Sequence, residues 1–394
     1  MYNYLGFDLG TGAVKAVCWS PSRGLLARLS ERLVFSSSTA SCYEYDAEAH
    51  FSLVLGMMRR LAEQAEAPIA GLAFAAASGN TLICDQQGRP LTAVISWLDQ
   101  RLPWQPPDDW QVRQVTGWPG IPSFPLMHLQ WFKENNPALL QGSCIGMNND
   151  FLQWRLCGRR VLDHSSATPF YLQEQSQRRW HKPFLQYYGI SEEQLPQLLA
   201  PGSKIAVLKE EYWHAKLGQE CFLYAGSFDH PAAARASNIS KPDEMLLSCG
   251  TSWVGLYPVR RRQDVPMQEL CDPFQSAHGA CWAGMFSVSG IGLEIEDFIL
   301  QRYGKCAQRY EQFNQEALSP DSAAAALMQD VCRRFADKLG ARRPRRIVMC
   351  GGPAEGKAWP IILQKTLQLP IQTSPYQSYA GALGAAMLAA AKTV

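Results

Sequence analysis

Apolar and polar positions alternate near the start of the chain in a way that predicts a β-hairpin. The segment YLGFDLGTGAVKAVCW, residues 4–19, consists of two such runs joined by Gly10, Thr11 and Gly12. Glycines suit a turn that needs positive φ or close approach of the backbone. The segment EMLLSCGTSWVGLYPV, residues 244–259, repeats the arrangement. Because the two hairpins are so alike, we expect an internal duplication that produces two related domains.

The stretches between and after the hairpins predict helices and further strands. Residues 48–67 carry apolar side chains at helical spacing, and residues 68–79 follow as a strand and a turn. Residues 148–167 predict a helix, a turn and a short strand, and the alanine-rich residues 379–394 predict a packed helix. This alternation of strands and helices indicates an α/β fold. The polar, turn-rich residues 235–244 are a candidate domain boundary.

A glycine-rich segment near the end of the chain, VMCGGPAEGKAW, predicts a buried strand that runs into a turn. Gly351–Lys357 has the G-x-x-x-x-G-K spacing of a phosphate-binding P-loop. Ala358 stands where that motif needs a Ser or Thr hydroxyl for Mg²⁺, and Pro353 removes an amide from the loop. Only residues 358–394 follow, which are too few to supply the rest of a parallel sheet. We therefore favour a strand-to-helix turn, or a loop whose glycines let a flat ligand lie close to the backbone.

The composition narrows the class of protein. A chain of 394 residues with a hydrophobic share of 47% can bury a substantial core, and a net charge of +2 gives no argument for a nucleic acid or membrane partner. The 12 cysteines form no C-x-x-C pair, so reduced thiols are favoured over a zinc site or a disulfide framework. The first residues lack the basic region of a signal peptide, and no apolar run approaches the ~20 residues of a membrane helix. We therefore expect a cytoplasmic protein.

Taken together, these segments resemble the FGGY carbohydrate kinases, and in particular their xylulokinase-like members with a shortened second domain. The matching segments are GFDLGTGAVKAV, ISWLDQR, NNDFLQWRLCGRRVLDHSSA, YAGSFDHPAAA, SCGTSWVGL, and VMCGGPAEGKAWPIILQKTLQLPI with GALGAAMLAA. They occur in family order over nearly the whole chain. The resemblance implies two duplicated actin-like, ribonuclease H-like domains with a nucleotide cleft between them. Residues 1–238 would hold the sugar site and the first phosphate hairpin, and residues 239–394 the second phosphate hairpin and the adenosine motif.

The resemblance also implies how the nucleotide is held. ATP phosphates would bind the two hairpin turns, and the adenosine would bind the glycine-rich turn near the end of the chain. The cofactor-binding candidates are Gly10, Thr11, Gly12, Lys15, Gly250, Thr251, Ser252, Gly351, Gly352 and Ala354. Asp8 would help hold Mg²⁺ through water, although a carboxylate before a turn can also bond local amides. Lys15 would face Asp8 or the phosphates, or would be an exposed strand residue.

A second carboxylate, Asp229, is the candidate general base. It follows an apolar strand and precedes a helix that we expect to begin at Pro231, a position from which it can accept the proton of a sugar hydroxyl. From the residues alone, an N-cap of that helix is an equal alternative, and the resemblance favours catalysis. With Asp8 it makes up the catalytic pair, and the adjacent His230 is a candidate substrate contact.

The remaining substrate-binding candidates lie in two segments of the first domain. Trp97 offers an apolar face to a sugar, and Asp99 and Arg101 match the family pattern. The neighbouring turn carries Ser78 and Asn80, where family members place larger polar side chains. This difference leaves the identity of the sugar or polyol open.

The expected activity is transfer of the γ-phosphoryl group of ATP to a sugar hydroxyl. Two alternatives share the fold, namely a sugar or nucleotide sensor without catalysis and an actin-like ATPase. ISWLDQR and the helix after residue 148 argue against the ATPase, and Asp8, Asp229 and both Gly-Thr turns argue against the sensor. The expected partner is a small sugar or polyol, with neither nucleic acid nor membrane, and a homodimer is one assembly open to such a protein.

Overall fold

A computed structural model describes residues 2–39, 41–77, 79–121, 123–275 and 281–391. The chain separates into two compact units, Met1–Ala232 with Gly381–Val394, and Ala233–Ala380. The division lies six residues from the domain boundary of the sequence analysis (238 − 232 = 6), and it assigns the last segment to the first unit. The division of roles between the two domains stays a prediction.

The strands and helices follow one another as two lists in chain order. The strands are β1 (Asn3–Leu9), β2 (Ala13–Ser20), β3 (Gly24–Arg32), β4 (Ser37–Ser38), β5 (Tyr43–Tyr45), β6 (Ile69–Ala76), β7 (Leu82–Cys84), β8 (Val94–Ile95), β9 (Cys144–Gly146), β10 (Val161–Asp163), β11 (Gln173–Glu174), β12 (Arg179–Trp180), β13 (Gln197–Leu199), β14 (Lys204–Val207), β15 (Leu217–Phe228), β16 (Glu244–Cys249), β17 (Trp253–Val259), β18 (Leu270–Asp272), β19 (Trp282–Val288), β20 (Arg346–Gly351) and β21 (Ile371–Thr373). The helices are α1 (Ala47–Gln64), α2 (Val112–Thr116), α3 (Pro125–Asn135), α4 (Asn148–Cys157), α5 (Lys182–Tyr188), α6 (Asp229–Ala236), α7 (Ile291–Tyr303), α8 (Arg309–Glu316), α9 (Ala323–Leu339), α10 (Ala358–Leu367) and α11 (Ala380–Ala390).

Each unit is built on one mixed sheet, and the two sheets share a plan. In the first unit the order is β14-β15-β6-β1-β2-β3, with β1, β2 and β3 antiparallel and β6 and β15 parallel to β1. In the second the order is β18-β19-β17-β16-β20-β21, where β16, β17 and β19 are antiparallel and β20 and β21 are parallel to β16. An antiparallel meander followed by two parallel strands therefore occurs twice, which confirms the predicted duplication.

The burial of the strands explains why their sequences read as they do. β1 is flanked by β2 and β6, and β6 is buried along its whole length because it lies between β1 and β15. Such strands are apolar on both faces, as the run IAGLAFAA is. The edge strand β3 alternates between partly buried and exposed residues.

The helices of the first unit follow local signals in the sequence. Asp46 caps α1 by accepting a hydrogen bond of 2.7 Å from the Ala49 amide, as Asp does at helix starts. The predicted packed helix near the end of the chain is α11. A Cβ on Gly6 of β1 would lie 1.9 Å from the Ala382 carbonyl oxygen, so only small residues allow this approach of strand and helix.

Each unit has its own apolar core. The first joins residues of the sheet to α1 and α4, with Phe51, Phe74 and Leu152 among them. The second includes Phe286 and Phe335. Among the described residues, no helix combines the length and apolar character needed to cross a membrane.

Candidate active site

Asp8 lies near the end of β1, and its surroundings leave room for its carboxylate. Its partner across β1 and β2 is Lys15, as expected for a hairpin in this register. On another side stands Gly381 of α11, where a Cβ would lie 2.6 Å from Asp8 Oδ2. The partly buried carboxylate is thus enclosed by the hairpin and by the start of α11.

The electrostatics of Asp8 mark it as an unusual carboxylate. Burial first, and then the charge of Asp229, raise the pKa of Asp8 to about 7, while Lys15 and His230 act in the opposite direction. Among the described residues, its buried Oδ1 atom has no hydrogen-bond partner. A carboxylate oxygen without a donor suits a hydrated cation, because Mg²⁺ keeps several of its waters when it binds proteins. The described residues hold no group of three or more His, Cys, Asp or Glu that could bind a metal by itself, so a cation here would need water or a ligand as well.

Asp229 is the first residue of α6, directly after β15. The helix begins two residues before Pro231, where the sequence analysis placed its start (231 − 229 = 2). Asp229 Oδ1 accepts a hydrogen bond of 2.7 Å from the His230 amide, so it bonds locally, yet its side chain keeps 23% exposure. Burial raises the pKa of Asp229 to about 7.

His230 sits beside both carboxylates and is neutral near pH 7. Burial lowers its pKa to about 4, even though the charge of Asp8 acts to raise it. Its Nδ1 lies 3.7 Å from Asp229 Oδ1, and its ring packs edge-on against Phe228 at 5.0 Å between centroids. The first unit therefore brings Asp8 within electrostatic reach of both Asp229 and His230.

Trp97 and Thr11 connect the predicted sugar segment to the first hairpin. Trp97 Nε1 donates a hydrogen bond of 2.9 Å to Thr11 Oγ1. Both residues line a small cavity together with Gly10, Ala77 and Asn80. The structure thus places a predicted substrate contact and a predicted phosphate contact side by side.

Asn80 faces this cavity but its polar atoms are occupied by the protein. Its Oδ1 accepts from the Asn148 amide at 2.8 Å, and its Nδ2 donates to Asn148 Oδ1 at 3.0 Å and to the Ala77 carbonyl at 3.3 Å. This arrangement favours a supporting role. Ser78 lies outside the described residues.

Asp99 and Arg101 bind each other. Arg101 Nε donates to Asp99 Oδ1 at 2.8 Å and Nη2 to Asp99 Oδ2 at 2.7 Å, while the Tyr43 amide donates to Asp99 Oδ2 at 2.8 Å. Burial alone would raise the pKa of Asp99, but the bonds from Arg101 and Tyr43 hold it below its usual value. These two predicted substrate contacts therefore brace the segment that carries Trp97.

A series of aromatic rings, which the sequence analysis did not identify as part of the site, runs between Trp97 and Asp229. The ring of Trp97 packs on Phe124 at 6.3 Å, Phe124 on Trp118 at 5.7 Å, and Trp118 on Phe228 at 5.5 Å, all between centroids. Phe228 directly precedes Asp229. The Trp- and Pro-rich composition around residue 118 was the available signal, but the spacing of its residues does not reveal which rings meet.

In the second unit, the turn Gly250–Ser252 joins β16 to β17. The Gly250 amide donates to the Ser252 carbonyl at 3.1 Å, and the Thr251 carbonyl accepts from the Gly292 amide at 2.9 Å. The amide of Gly250 is therefore used within the turn. A donor to phosphate would have to come from Thr251 or Ser252.

The glycine-rich turn of the second unit follows β20. Gly351 has φ of 96°, and a Cβ there would lie 2.1 Å from the Cys249 carbonyl oxygen, so this position requires glycine. Gly352 begins a 3-10 turn that contains the buried Ala354, and α10 starts after the exposed Lys357. The segment is a strand-to-helix turn, as the sequence predicted.

Comparison with known proteins identifies relatives of this arrangement. Residues 3–235 match the FGGY family of carbohydrate kinases, N-terminal domain. The chain is 26% identical over 264 residues to the xylulose kinase of Escherichia coli (strain K12), an alignment that covers 64% of this chain and 53% of that protein. It is 24% identical over 270 residues to the gluconokinase of Bacillus subtilis (strain 168), covering 63% and 50%. The chain thus spans about half the length of the curated relatives that it matches.

Solved structures share the fold over nearly the whole chain. One is a ligand-bound xylulose kinase from Lactobacillus acidophilus, with a TM-score of 0.84, 18% identity, and coverage of 99% of this chain and 89% of that one. Another is a glycerol kinase from Plasmodium falciparum with ADP, with a TM-score of 0.83, 16% identity, and coverage of 100% and 90%. At such identities the likeness establishes the fold.

Proposed function

The chain belongs to the FGGY family of carbohydrate kinases, and from this premise we propose that it transfers the γ-phosphoryl group of ATP to a hydroxyl of a small sugar or polyol. The observation that carries the proposal is the pair of partly buried carboxylates, Asp8 and Asp229, each with a pKa raised to about 7. The charge of Asp229 also acts on Asp8, and buried carboxylates with perturbed pKa values are typical of catalytic sites.

In this proposal Asp229 is the general base. A carboxylate with a pKa near 7 is half deprotonated at neutral pH and still basic enough to take the hydroxyl proton as the oxygen attacks phosphorus. The hydrogen bond from the His230 backbone amide fixes one carboxylate oxygen of Asp229. The partly exposed side chain is still able to face the acceptor. Neutral His230 adds a polar contact without adding charge.

Asp8 is proposed to hold Mg²⁺ through its unpartnered Oδ1 atom. When bound, the ion would neutralise negative charge on the transferred phosphoryl group. Lys15, across the hairpin from Asp8, would contribute a positive charge to the same group. Amides of the turn at Gly10–Gly12 and the Thr11 hydroxyl would donate to phosphate oxygens.

The residues of the second unit complete the proposed nucleotide contacts. The turn that contains Thr251 and Ser252 would bind phosphate, and Gly351, Gly352 and Ala354 would bind the adenosine. A turn that requires glycine next to the backbone of β16 suits a flat ligand.

The acceptor is proposed to be a ketose, a sugar acid or a polyol. The named relatives support this class, since they are xylulose kinases and gluconokinases. Trp97 would offer its ring to the acceptor, and Asp99, Arg101 and Asn80 would hold that ring and its surroundings in place. A cytoplasmic location and a homodimer stay predictions of the sequence.

The test is ADP release by the purified protein with Mg²⁺ and ATP, across ketoses, aldoses, sugar acids, polyols and glycerol, against a blank without acceptor. We expect one acceptor to raise ADP release well above the blank and Asp229→Asn to abolish the rise. Binding of ATP without stimulation by any acceptor would contradict the kinase proposal and favour a sensor. Acceptor-independent turnover would favour an ATPase.

A further inference from the structure

We propose that Trp97 is a positioning residue for phosphoryl transfer, because its indole N–H orients the Thr11 hydroxyl toward the terminal phosphate of the nucleotide. This inference rests on the proposed function and deepens it. From the sequence, Trp97 is predicted to contact only the acceptor and Thr11 only the nucleotide. The bond between them makes the two assignments interdependent.

The direction of the hydrogen bond is set by chemistry. An indole nitrogen is a donor only, so the 2.9 Å contact between Trp97 Nε1 and Thr11 Oγ1 occupies a lone pair of the hydroxyl. The hydroxyl keeps its own proton, which is therefore available to an acceptor other than Trp97. Among the described residues, Trp97 is the hydrogen-bond partner of the Thr11 hydroxyl. A phosphate oxygen next to the turn is the acceptor that such a hydroxyl suits.

The segment around Trp97 is rigid enough to hold this geometry. The Ser96 amide donates to the Tyr43 carbonyl at 2.9 Å, and the Asp99 amide donates to the Ser96 carbonyl at 3.0 Å. Buried Asp99 in turn receives the Tyr43 amide and Arg101. These bonds fix the backbone on both sides of Trp97, so little freedom is lost when the indole donates to Thr11.

A consequence is that the acceptor and the nucleotide sense each other through one bond. An acceptor that packs on the Trp97 ring restricts the indole, and this restriction stabilises the Thr11 rotamer that donates to phosphate. By linkage, a bound terminal phosphate must favour acceptor binding to the same degree. Loss of the indole N–H should therefore affect the nucleotide as well as the acceptor.

The experiment is a double-mutant cycle on the full chain with Trp97→Phe, Thr11→Val and the double variant. Calorimetry would give Kd for ADP and for a non-hydrolysable ATP analogue, each with Mg²⁺ and without acceptor. The ratio of the Kd for the analogue to the Kd for ADP measures the contribution of the terminal phosphate to binding. We expect Thr11→Val to weaken the analogue relative to ADP by about tenfold or more, as for a lost bond to a charged group. Trp97→Phe should weaken it several-fold, and the double variant should be no worse than Thr11→Val.

Two control variants separate this role from packing. Thr11→Ser keeps the hydroxyl and should keep the ratio near that of the wild type. Phe124→Leu removes a ring that packs on Trp97 but leaves the indole N–H, so it should change the ratio much less than Trp97→Phe does, even if it weakens acceptor binding. Circular dichroism and thermal melting would confirm that each variant folds.

The outcomes distinguish this inference from the proposed function. An unchanged ratio in Trp97→Phe, or losses that simply add in the double variant, would overturn the positioning role even if a sugar were phosphorylated. A coupled loss in a protein that no acceptor stimulates would uphold the role of Trp97 and contradict the kinase proposal. A wild-type protein that binds neither nucleotide would overturn both.

Discussion

Gly381 lies directly against the Asp8 carboxylate, since a Cβ on Gly381 would lie 2.6 Å from Asp8 Oδ2. Gly381 lies near the start of α11, far along the chain from Asp8, yet it borders the same carboxylate as the first hairpin. The end of the chain thus helps to shape the candidate active site of the first unit.

Gly381→Ala should lower phosphoryl transfer while the protein stays folded. The new methyl group must displace the Asp8 carboxylate, and a displacement of about 1 Å in a catalytic group costs up to about a hundredfold in rate. The displacement also costs stability. Alanine has a higher helix propensity than glycine, by up to about 1 kcal/mol, and this gain offsets that cost. Initial rates at saturating ATP and acceptor, together with urea unfolding, would measure both effects.

Gly56→Ala is the matched control for that variant. Gly56 lies within α1, and a Cβ there would meet nothing within 4 Å. Its substitution should therefore raise the free energy of unfolding by about 0.5–1 kcal/mol and leave the rate unchanged. Equal rates for the two variants would show that Gly381 does not shape the Asp8 site.

Lys357→Ala should change the affinity for ATP by no more than about twofold. Lys357 is exposed and precedes α10 in a strand-to-helix turn, and Pro353 interrupts the amides that a P-loop would use. Gly351→Ala should instead abolish nucleotide binding or folding of the second unit, because its Cβ would lie 2.1 Å from the Cys249 carbonyl oxygen. Calorimetry with ATP would show a large loss in Lys357→Ala if the lysine held phosphate.

Asp8→Asn should stabilise the protein, and more so at alkaline pH. The folded pKa of Asp8 is raised from 3.8 to about 7, so the native state binds more protons than the unfolded state between these values. Native stability from this group is therefore lost as pH rises through about 7, and the neutral amide avoids that loss. We expect a gain on the order of 1–3 kcal/mol at pH ~8 and less at pH ~5, after allowance for solvent screening.

Urea unfolding without Mg²⁺ at the two pH values would test this expectation. Asp109→Asn is the control, since Asp109 is an exposed carboxylate in a 3-10 turn and its substitution should shift stability little at either pH. A gain in Asp8→Asn that is the same at both pH values would mean that Asp8 carries no raised pKa.

The sequence was sufficient to predict the two hairpins, the helices α1, α4 and α11 and the duplication, because each of these follows from a local pattern. Alternation around Gly10–Gly12 and Gly250–Ser252 predicted the two hairpins, and apolar residues at helical spacing predicted α1. Contacts between segments that are far apart in the chain could not be predicted from the sequence. No local pattern indicates that Trp97 bonds Thr11, or that Asn80 is occupied by Asn148, because such pairs depend on how the chain folds back.

The same reason applies to Asp99 and Arg101. Asp99 and Arg101 are polar residues at positions that match a substrate segment, and sequence alone cannot tell a ligand contact from a mutual ion pair. In the structure Asp99 is fully buried and both of its oxygens are bonded within the protein, which supports the positioning role proposed for it. Polar side chains that are satisfied by the protein position a site, and unsatisfied ones such as Asp8 are the stronger candidates for ligands.

The rate of phosphoryl transfer should fall on the acid side of a pKa near 7. Asp229 must be deprotonated to accept the hydroxyl proton, and burial places its pKa at about 7. Asp8 titrates in the same range, and its pKa depends on the charge of Asp229. The acid limb of the pH–rate profile, where the rate falls, therefore reports apparent pKa values of the two carboxylates as a pair. His230, with a pKa of about 4, is neutral throughout this range, so His230→Gln should keep the limb in place even if it raises KM. Measurements of kcat and kcat/KM from about pH 5 to about pH 9 on the wild type, His230→Gln and Asp229→Asn would show which residue is the general base. Asp229→Asn should be inactive at every pH, whereas a limb that vanishes in His230→Gln would transfer the role of base to the histidine.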